Sequence, residues 1–469
     1  MTTRFEARFG VVLVFSLLAA SFALTKAADP PAPDIRGNID AAARQVLSDT
    51  GAPGASVAVV QDGRVTYLQA YGSARLEPIA PATSAMRFSI GSVSKQFAAT
   101  AILMLAEQGK LSLDDPVARF VPDLTRANEV TIRQILSHTA GYQDYWPQDY
   151  VPPFMLRPVS PGKILDQWAR KPLDFDPGSQ WQYSNTGYVI AGLIVERASG
   201  QPLFEFLSQH IFAPLGMKSV INVDQERLGE TEATGFMRYG LGPLRVAPKE
   251  GKGWLFAAGE LAMAAEDLAK WDISLIDQSL LKPQSYAQIE SAMVLKNGIA
   301  SDYGLGVNVQ REFSRRAISH GGEVSGFTAQ NMVFPDDRAA VVVLVNQDAS
   351  PAAGLIARKI APLLFPQEGD VREEQQARQI FKGLQHGRID RALFTDNANF
   401  YFSDQALNDL AAGLRRLGKP RSFTQTTRKE RGGMTFRNFA VKFSSRNLQI
   451  WQYELPDGKI EQFQVMAAE

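Results

Sequence analysis

Strand-forming segments at both ends of the first 365 residues, separated by a helical stretch, restrict the folds open to this chain. Runs with strand character occur at residues 56–60, 64–69, 316–319, 327–334 and 339–346. The first two runs are joined at Asp62-Gly63, a pair typical of a two-residue antiparallel hairpin. Residues 113–283 consist mostly of helical patterns broken by proline-rich loops. We therefore predict an α+β fold, in which an antiparallel sheet is sandwiched by helices and a helical subdomain is inserted.

A change in charge near residue 366 predicts a second domain. Residues 370–469 have a net charge of about +4, whereas residues 28–369 are at about −6. This tail begins with a helical stretch at 373–384 and ends in alternating runs, the last two joined at Asp457-Gly458. We predict one domain over residues 28–366 and a small accessory α+β domain over residues 370–469, with a curved antiparallel sheet. The order of its elements weakly resembles an NTF2-like cone.

The first 27 residues have the pattern of a secretory signal peptide. Arg4 and Arg8 precede an apolar run at residues 10–24, and small residues follow around Ala23 and Ala27. The run is shorter than the roughly 20 residues that span a bilayer, although an uncleaved anchor is the alternative. We predict cleavage after Ala23 or Ala27, export to the periplasm, and no stable membrane span once the signal is removed.

Composition excludes several classes of function. The chain has 49 basic and 49 acidic residues, so no net charge attracts it to nucleic acid. It has no cysteine, which excludes a thiol nucleophile and a zinc-thiolate site, and its four histidines are widely spaced. We therefore predict no metal, no organic cofactor and no nucleic-acid partner. The chemistry is expected to come from oxygen and nitrogen side chains.

Ser92-Val93-Ser94-Lys95 places a hydroxyl and an amine three positions apart on one helix face. Residues 92–107 are apolar on nearly all faces, so this helix is predicted to be buried. A buried lysine loses basicity and, as a free amine, accepts the proton of a serine nucleophile. The same spacing recurs at Ser160 and Lys163 and at Ser279 and Lys282. The first repeat has the pattern of a helix N-cap and the second falls in a turn, so Ser92 is the favoured nucleophile.

Two further motifs add candidate side chains. Tyr183-Ser184-Asn185 would direct a phenol and an amide to one side of an extended segment. The alternative is a tyrosine packed beside Trp181 with its hydroxyl satisfied. His320-Gly321-Gly322 stands at the end of a strand run, where the glycines indicate close approach of a ligand or another chain segment; alternatively, His320 simply ends a strand.

For other polar and aromatic residues, a structural role is an equal or better interpretation than a functional one. His138 is expected to form structural hydrogen bonds rather than to act in catalysis. Tyr142, Tyr145, Trp146 and Tyr150 are expected either to line the cleft or to pack within a loop, and the same holds for Trp254 and Phe256.

In order and spacing, Ser92, Tyr183 and His320 resemble the three signature motifs of the serine β-lactamase and penicillin-binding-protein superfamily. The resemblance covers roughly residues 35–366 and is closest to the class C-like branch. Supporting segments are Leu136-Ser137-His138-Thr139-Ala140-Gly141, Phe175-Asp176-Pro177-Gly178 and Ala258-Gly259-Glu260-Leu261.

This resemblance implies that Ser92 forms an acyl-enzyme while Lys95 and Tyr183 shuttle its proton. It further implies that Asn185 holds the substrate amide. The strand at His320, Gly321, Gly322 and Glu323 would line the substrate cleft. The backbone N–H groups of Ser92 and Glu323 would stabilise the oxyanion, and losing one such donor typically costs about 10²–10³ in rate.

The chain departs from typical β-lactamases at the third motif. Lys-Thr-Gly is replaced by His320-Gly321-Gly322, so a titratable imidazole stands in place of the cation, and there is neither a Glu-x-x-Leu-Asn nor a Gly-x-Ser-x-Gly motif. The resemblance thus favours an exported serine hydrolase acting on a small ester, peptide or β-lactam. Alternatives are a D-stereospecific peptidase or D-alanyl-D-alanine carboxypeptidase, a penicillin-binding sensor without turnover, and a class C-like β-lactamase. We make no prediction of oligomeric state.

Overall fold

A computed structural model describes residues 35–148, 150–313, 315–365 and 368–468. The predicted signal peptide, residues 1–27, lies outside these ranges. The chain divides into two compact units between Leu364 and Phe365. Within the described ranges, no helix combines the length and apolar character needed to cross a bilayer.

An antiparallel seven-stranded sheet forms the centre of the first unit, in the order β3-β2-β1-β12-β11-β10-β9. The strands of this unit are β1 (Gly54–Gln61), β2 (Arg64–Leu76), β3 (Ile79–Pro81), β4 (Phe88–Ser89), β5 (Ile221–Asn222), β6 (Phe236–Met237), β7 (Arg245–Val246), β8 (Leu261–Met263), β9 (Asn308–Glu312), β10 (Arg315–Val324), β11 (Phe327–Phe334) and β12 (Ala339–Val345). Its helices are α1 (Ile35–Thr50), α2 (Lys95–Glu107), α3 (Ile132–Leu136), α4 (Pro161–Ile164), α5 (Asn185–Ser199), α6 (Leu203–Leu207), α7 (Ala265–Asp277), α8 (Pro283–Ile289) and α9 (Ala352–Ile360). The predicted fold class is confirmed.

Helices cover both faces of this sheet. Successive side chains of a strand point to opposite faces of the sheet, and every residue of β12 is buried. Both faces are therefore covered at this strand. Helices α7 and α9 both pack on β12, and α1 packs against α9. The segment between β4 and β9 contains helices α2–α8 together with the short strands β5–β8, so the predicted helical middle of this unit is present.

Local sequence explains how the sheet begins. Asp62 and Gly63 have φ angles of 52° and 71°, the left-handed conformation that a two-residue hairpin requires. Their flanking residues, Gln61 and Arg64, pair directly in the register of β1 with β2. The Asp-Gly dipeptide tolerates this conformation, which is why the hairpin could be predicted from the sequence alone.

Helix α2 is buried, as its apolar sequence predicts. Ten of its thirteen residues are buried, and it packs against α5. Gly109 follows the helix with a φ of 72° and ends it in the left-handed conformation. The helix begins at Lys95 rather than at Ser92, because Ser92 lies in a preceding 3-10 turn, Gly91–Ser94.

The second unit combines helices with a four-stranded antiparallel sheet in the order β13-β14-β15-β16. Its elements are α10 (Glu368–Leu384), α11 (Asp396–Tyr401), α12 (Asp404–Leu414), β13 (Ser422–Arg431), β14 (Met434–Lys442), β15 (Asn447–Glu454) and β16 (Ile460–Ala467). The register skips Thr426 in β13 and Glu461 in β16, and such bulges bend antiparallel strands. The predicted helical stretch at 373–384 corresponds to α10, and the predicted alternating runs correspond to β14, β15 and β16. Helices α11 and α12 and strand β13 were not predicted.

Candidate active site

Ser92 and Lys95 face each other where the 3-10 turn meets α2. The Lys95 Nζ lies 2.9 Å from the Ser92 Oγ, within hydrogen-bond distance. Lys95 is fully buried, whereas Ser92 is partly exposed and lines a cleft of about 1280 Å³. The tight turn therefore holds the hydroxyl at the surface of the cleft and the amine beneath it.

The contacts of the Lys95 Nζ determine whether an N–H group or the lone pair points toward Ser92. The Nζ lies 2.8 Å from the Asn185 Oδ1 and 2.8 Å from the carbonyl oxygen of Ala258, and both oxygens are acceptors. Burial lowers the pKa of Lys95 from 10.5 to about 7, and the charge of Asp144 partly opposes this shift. A neutral amine has two N–H groups and one lone pair. With both N–H groups donated to these acceptors, the lone pair remains for the Ser92 proton.

Tyr183 approaches the same hydroxyl from the segment that precedes α5. Its side chain interacts with that of Ser92, and the Lys95 Nζ lies 4.9 Å from the centre of its ring. Burial raises the pKa of Tyr183 well above its ordinary value, so the phenol is protonated at neutral pH. Tyr183 can therefore donate to Ser92 while Lys95 accepts.

Asn185 is the first residue of α5, not part of an extended segment. Ser184 caps this helix, since its Oγ accepts from the backbone N–H of Gly187 at 3.3 Å. The Asn185 Nδ2 donates to the Asp144 Oδ2 at 3.3 Å, and its backbone N–H donates to the Asp144 Oδ1 at 3.0 Å. Asp144 is not among the residues predicted from the sequence. Its position within the aromatic loop at residues 142–150 is the signal that could have drawn attention to it.

The backbone of the third predicted motif, His320-Gly321-Gly322 on β10, lies directly against the 3-10 turn that contains Ser92. A Cβ on Gly322 would overlap the carbonyl oxygen of Ile90 and would stand 3.2 Å from the backbone nitrogen of Ser92. A Cβ on Gly91 would stand 2.6 Å from the backbone nitrogen of Glu323. Only residues without a side chain allow this approach, and it places the two expected oxyanion donors at one contact between strand and turn.

The charge of His320 differs from what the sequence suggested, because its imidazole does not replace the cation of the usual third motif. Its side chain is buried on β10, and its Nε2 lies 2.8 Å from the Tyr303 hydroxyl. Its Nδ1 lies beside the carbonyl oxygen of Gly321, which accepts an N–H at that position. Burial, together with the charge of Lys95, lowers the pKa of His320 to about 4. At neutral pH the third motif therefore provides an uncharged ring.

Several aromatic residues were expected either to line the cleft or to pack within a loop, and the structure distinguishes between these roles. Tyr145, Trp146 and Tyr150 line the cleft together with Ser92, Asn185, His320 and Glu323. Tyr142 is buried and donates to the carbonyl oxygen of Thr125 at 3.0 Å, a packing role. Trp254 is also packed, with its indole N–H donating to the carbonyl oxygen of Arg157 at 2.7 Å.

His138 forms the structural hydrogen bond expected of it. Its Nδ1 accepts from the backbone N–H of Ser184 at 3.1 Å, and its ring centre lies 4.2 Å from that of Tyr183. Burial keeps the pKa of His138 well below its ordinary value, so it supports Tyr183 as a neutral ring.

The two repeats of the serine-lysine spacing take no part in this arrangement. Ser160 caps α4, accepting from the backbone N–H of Lys163 at 3.3 Å. The backbone N–H of Lys282 donates to Glu107 at 2.7 Å, beside the start of α8. Within the described ranges, no group of His, Asp and Glu side chains forms a candidate metal site.

A family model described as Beta-lactamase matches residues 39–364. The chain therefore belongs to the beta-lactamase family, and the resemblance drawn from Ser92, Tyr183 and His320 is confirmed at the level of the family.

Individual relatives carry two kinds of name. A D-aminopeptidase from Brucella anthropi is 28% identical over 316 residues, covering 66% of this chain and 59% of the relative. Penicillin-binding protein 4* from Bacillus subtilis is 28% identical over 334 residues, covering 68% of this chain and 74% of the relative. Among solved structures, a D-amino acid amidase from Ochrobactrum anthropi SV3 complexed with D-phenylalanine is 25% identical, with a TM-score of 0.63. That match covers 71% of this chain and 99% of the amidase.

Proposed function

We propose that this protein is an exported serine hydrolase that cleaves an ester or amide bond through an acyl-enzyme on Ser92. The observation that carries the proposal is the 2.9 Å contact between the Ser92 Oγ and the Nζ of a fully buried lysine. A buried, neutral amine in this position is a general base in contact with its nucleophile.

In the proposed acylation step, the Ser92 Oγ attacks the substrate carbonyl carbon and its proton passes to the Lys95 Nζ. The backbone N–H groups of Ser92 and Glu323 are assigned to the developing oxyanion. Collapse of the tetrahedral intermediate breaks the bond to the leaving group, which takes the proton through Lys95 or Tyr183. Water then attacks the acyl carbon, releasing the acid and restoring the Ser92 hydroxyl.

The uncharged third motif bears on the substrate. A neutral His320 provides no cation for a substrate carboxylate, so we propose a substrate without an essential carboxylate beside the scissile bond. The proposed class is an uncharged ester or an amide. The names D-aminopeptidase and D-amino acid amidase among the relatives support amides of D-amino acids as a second candidate.

Intact-mass measurement after exposure to a fluorophosphonate and to benzylpenicillin, with mapping of the modified peptide, tests nucleophile and substrate class together. We expect one fluorophosphonate adduct on Ser92, together with sustained hydrolysis of a p-nitrophenyl ester that Ser92→Ala abolishes. Ser160→Ala and Ser279→Ala are matched controls and should keep their activity. Activity that survives in Ser92→Ala would refute the assignment.

The alternatives give different results in the same assays. A single burst of product without steady turnover would indicate a penicillin-binding sensor. Faster hydrolysis of D-phenylalanine amide than of its L-enantiomer or of the p-nitrophenyl ester would indicate a D-specific amidase. Rapid turnover of benzylpenicillin would indicate a β-lactamase.

Export is proposed from residues 1–27 alone. Sequencing the N-terminus of protein recovered from the periplasm should show a chain beginning at Leu24 or Ala28. Recovery only of full-length protein in the cytoplasm would refute this part of the proposal.

A further inference from the structure

We propose that Asp144 is a positioning residue that holds the Asn185 amide in one orientation and thereby directs Lys95 toward Ser92. The inference rests on the proposed function, since it assigns a role relative to the Ser92 nucleophile. Asp144 lines the same cleft as Ser92 and Asn185 but lies on the loop between α3 and α4, more than 40 residues before Asn185.

The contacts of Asp144 favour its ionised carboxylate. Three N–H groups point to its oxygens: the backbone of Trp146 at 3.2 Å, the backbone of Asn185 at 3.0 Å and the Asn185 Nδ2 at 3.3 Å. All three are donors, so the carboxylate accepts at both oxygens and has no need of its own proton. Burial raises the pKa of Asp144, and the backbone hydrogen bonds oppose that shift.

These contacts leave the Asn185 amide with a single favourable orientation. Its Nδ2 donates to Asp144 and its Oδ1 accepts from the Lys95 Nζ at 2.8 Å. In the flipped orientation, the amide oxygen would face the carboxylate, which is a repulsive contact. An amide N–H would face the Lys95 Nζ, where it would meet either an N–H or the lone pair that the Ser92 proton needs. Asp144 therefore determines which end of the amide Lys95 meets.

The orientation of Asn185 in turn determines how Lys95 uses its three bonding directions. Two of them are occupied by acceptors, Asn185 Oδ1 and the carbonyl oxygen of Ala258, and the third faces the Ser92 Oγ. If the amide were free to turn, an N–H of Lys95 would lose its acceptor and would compete for Ser92. The lone pair would then be directed at the serine proton for only part of the time.

Asp144 also acts on Lys95 through its charge. The ionisable groups that face Lys95 are Asp144, His138 and His320, together with the phenols of Tyr183 and Tyr188. Both histidines are neutral at pH 7, because burial lowers the pKa of each. Removing the carboxylate charge should therefore lower the pKa of Lys95 further below about 7.

The test compares Asp144→Asn with Asp174→Asn, a matched carboxylate-to-amide change. Asp174 accepts from the Gln182 Nε2 at 2.6 Å, one residue before Tyr183, and contributes nothing to the electrostatics of Lys95. The measurement is the pH profile of kcat/KM for a p-nitrophenyl ester, together with the rate at which a fluorophosphonate labels Ser92. The acid midpoint is the pH, on the acid side of the profile, at which kcat/KM is half of its plateau value. In Asp144→Asn we expect this midpoint to fall by about one pH unit. Labelling of Ser92 at plateau pH should slow about 10- to 100-fold. Asp174→Asn should keep the wild-type midpoint.

The double variant Asp144→Asn/Asn185→Asp keeps the test decisive if the single variant does not fold. It exchanges amide and carboxylate, so donor and acceptor remain matched across the contact while the charge moves next to Lys95. Its acid midpoint should lie above that of the wild type.

An acid midpoint and a labelling rate that stay at wild-type values in a folded Asp144→Asn variant would overturn the inference. So would a double variant whose midpoint does not rise. In both cases wild-type activity and its loss in Ser92→Ala would leave the proposed function standing. Failure of the fluorophosphonate to label Ser92 in the wild type would instead overturn the proposed function itself.

Discussion

The hydrolysis rate is expected to fall on the acid side of pH 7 because the proposed general base is a buried lysine. Burial moves the pKa of Lys95 from 10.5 to about 7, a difference worth about 5 kcal/mol between its two protonation states. At pH 7 about half of the molecules then carry the free amine, compared with about one in 3,000 for an ordinary lysine. The expected kcat/KM therefore levels off above about pH 8 and declines about tenfold per unit below about pH 6.

The assay is kcat/KM for p-nitrophenyl acetate between about pH 5 and about pH 9, a range over which the substrate does not ionise. Tyr183 should add no descending limb in this range, because burial raises its pKa well above the ordinary value. Lys95→Met should lower the plateau by about 10²–10⁴, the usual contribution of a general base. Lys163→Met, in the repeat of the same spacing, is the control and should leave the profile unchanged.

Two results would refute this reasoning. A rate that keeps rising tenfold per unit up to about pH 9 would mean that Lys95 titrates as an exposed lysine. A Lys95→Met variant that keeps its activity within tenfold would mean that another group removes the serine proton.

Three further outcomes can be checked. Gly322→Ala should reduce kcat at least about 100-fold, because its Cβ would push the strand away from Ile90 and displace an oxyanion donor; Gly321→Ala, whose Cβ meets nothing closer than 3.6 Å, should lose far less. Ser160→Ala should lower the free energy of unfolding by about 1 kcal/mol in urea titrations, because it removes the cap of α4, with ester hydrolysis unchanged. Asp272→Asn should raise Tm at pH 8 and change it little at pH 4. Burial raises the pKa of Asp272 well above 3.8, so the folded chain keeps a proton that the unfolded chain releases as the pH rises, and the wild type loses stability there. An equal or lower Tm at pH 8 would contradict this.

Features that follow from neighbouring residues were predictable. The β1–β2 hairpin depends on Asp62-Gly63, which takes up the left-handed conformation at low cost. The burial of α2 follows from side chains that are apolar around its whole circumference. The strand boundaries of β11 and β12 follow from the apolar runs on either side of Pro335. In each case the physical cause lies within about ten residues of chain.

Prediction was weaker where local signals conflict or are sparse. β13 was missed, because its exposed and charged residues do not show the alternation of a half-buried strand. Asn185 was assigned to an extended segment but begins α5, because Ser184 accepts the N–H of Gly187 and caps a helix there. Capping can be seen in the sequence, but only once the helix boundary is known.

By itself, the sequence determined which side chains the proposed site can use: Ser92 and Lys95 one turn apart, a tyrosine and an asparagine two residues apart, and a histidine followed by two glycines. The expectation that this histidine ends a strand was wrong, because β10 continues to Val324. Only the tertiary structure decided their electrostatic state. The surrounding core removes water from Lys95 and thereby lowers its pKa, and His320 is neutral for the same reason. The contact of Asp144 with Asn185 could not be predicted from the sequence, because it is formed by a loop more than 40 residues away along the chain. Spacing along the chain is a local property, whereas desolvation and charge proximity depend on every segment that packs around a group.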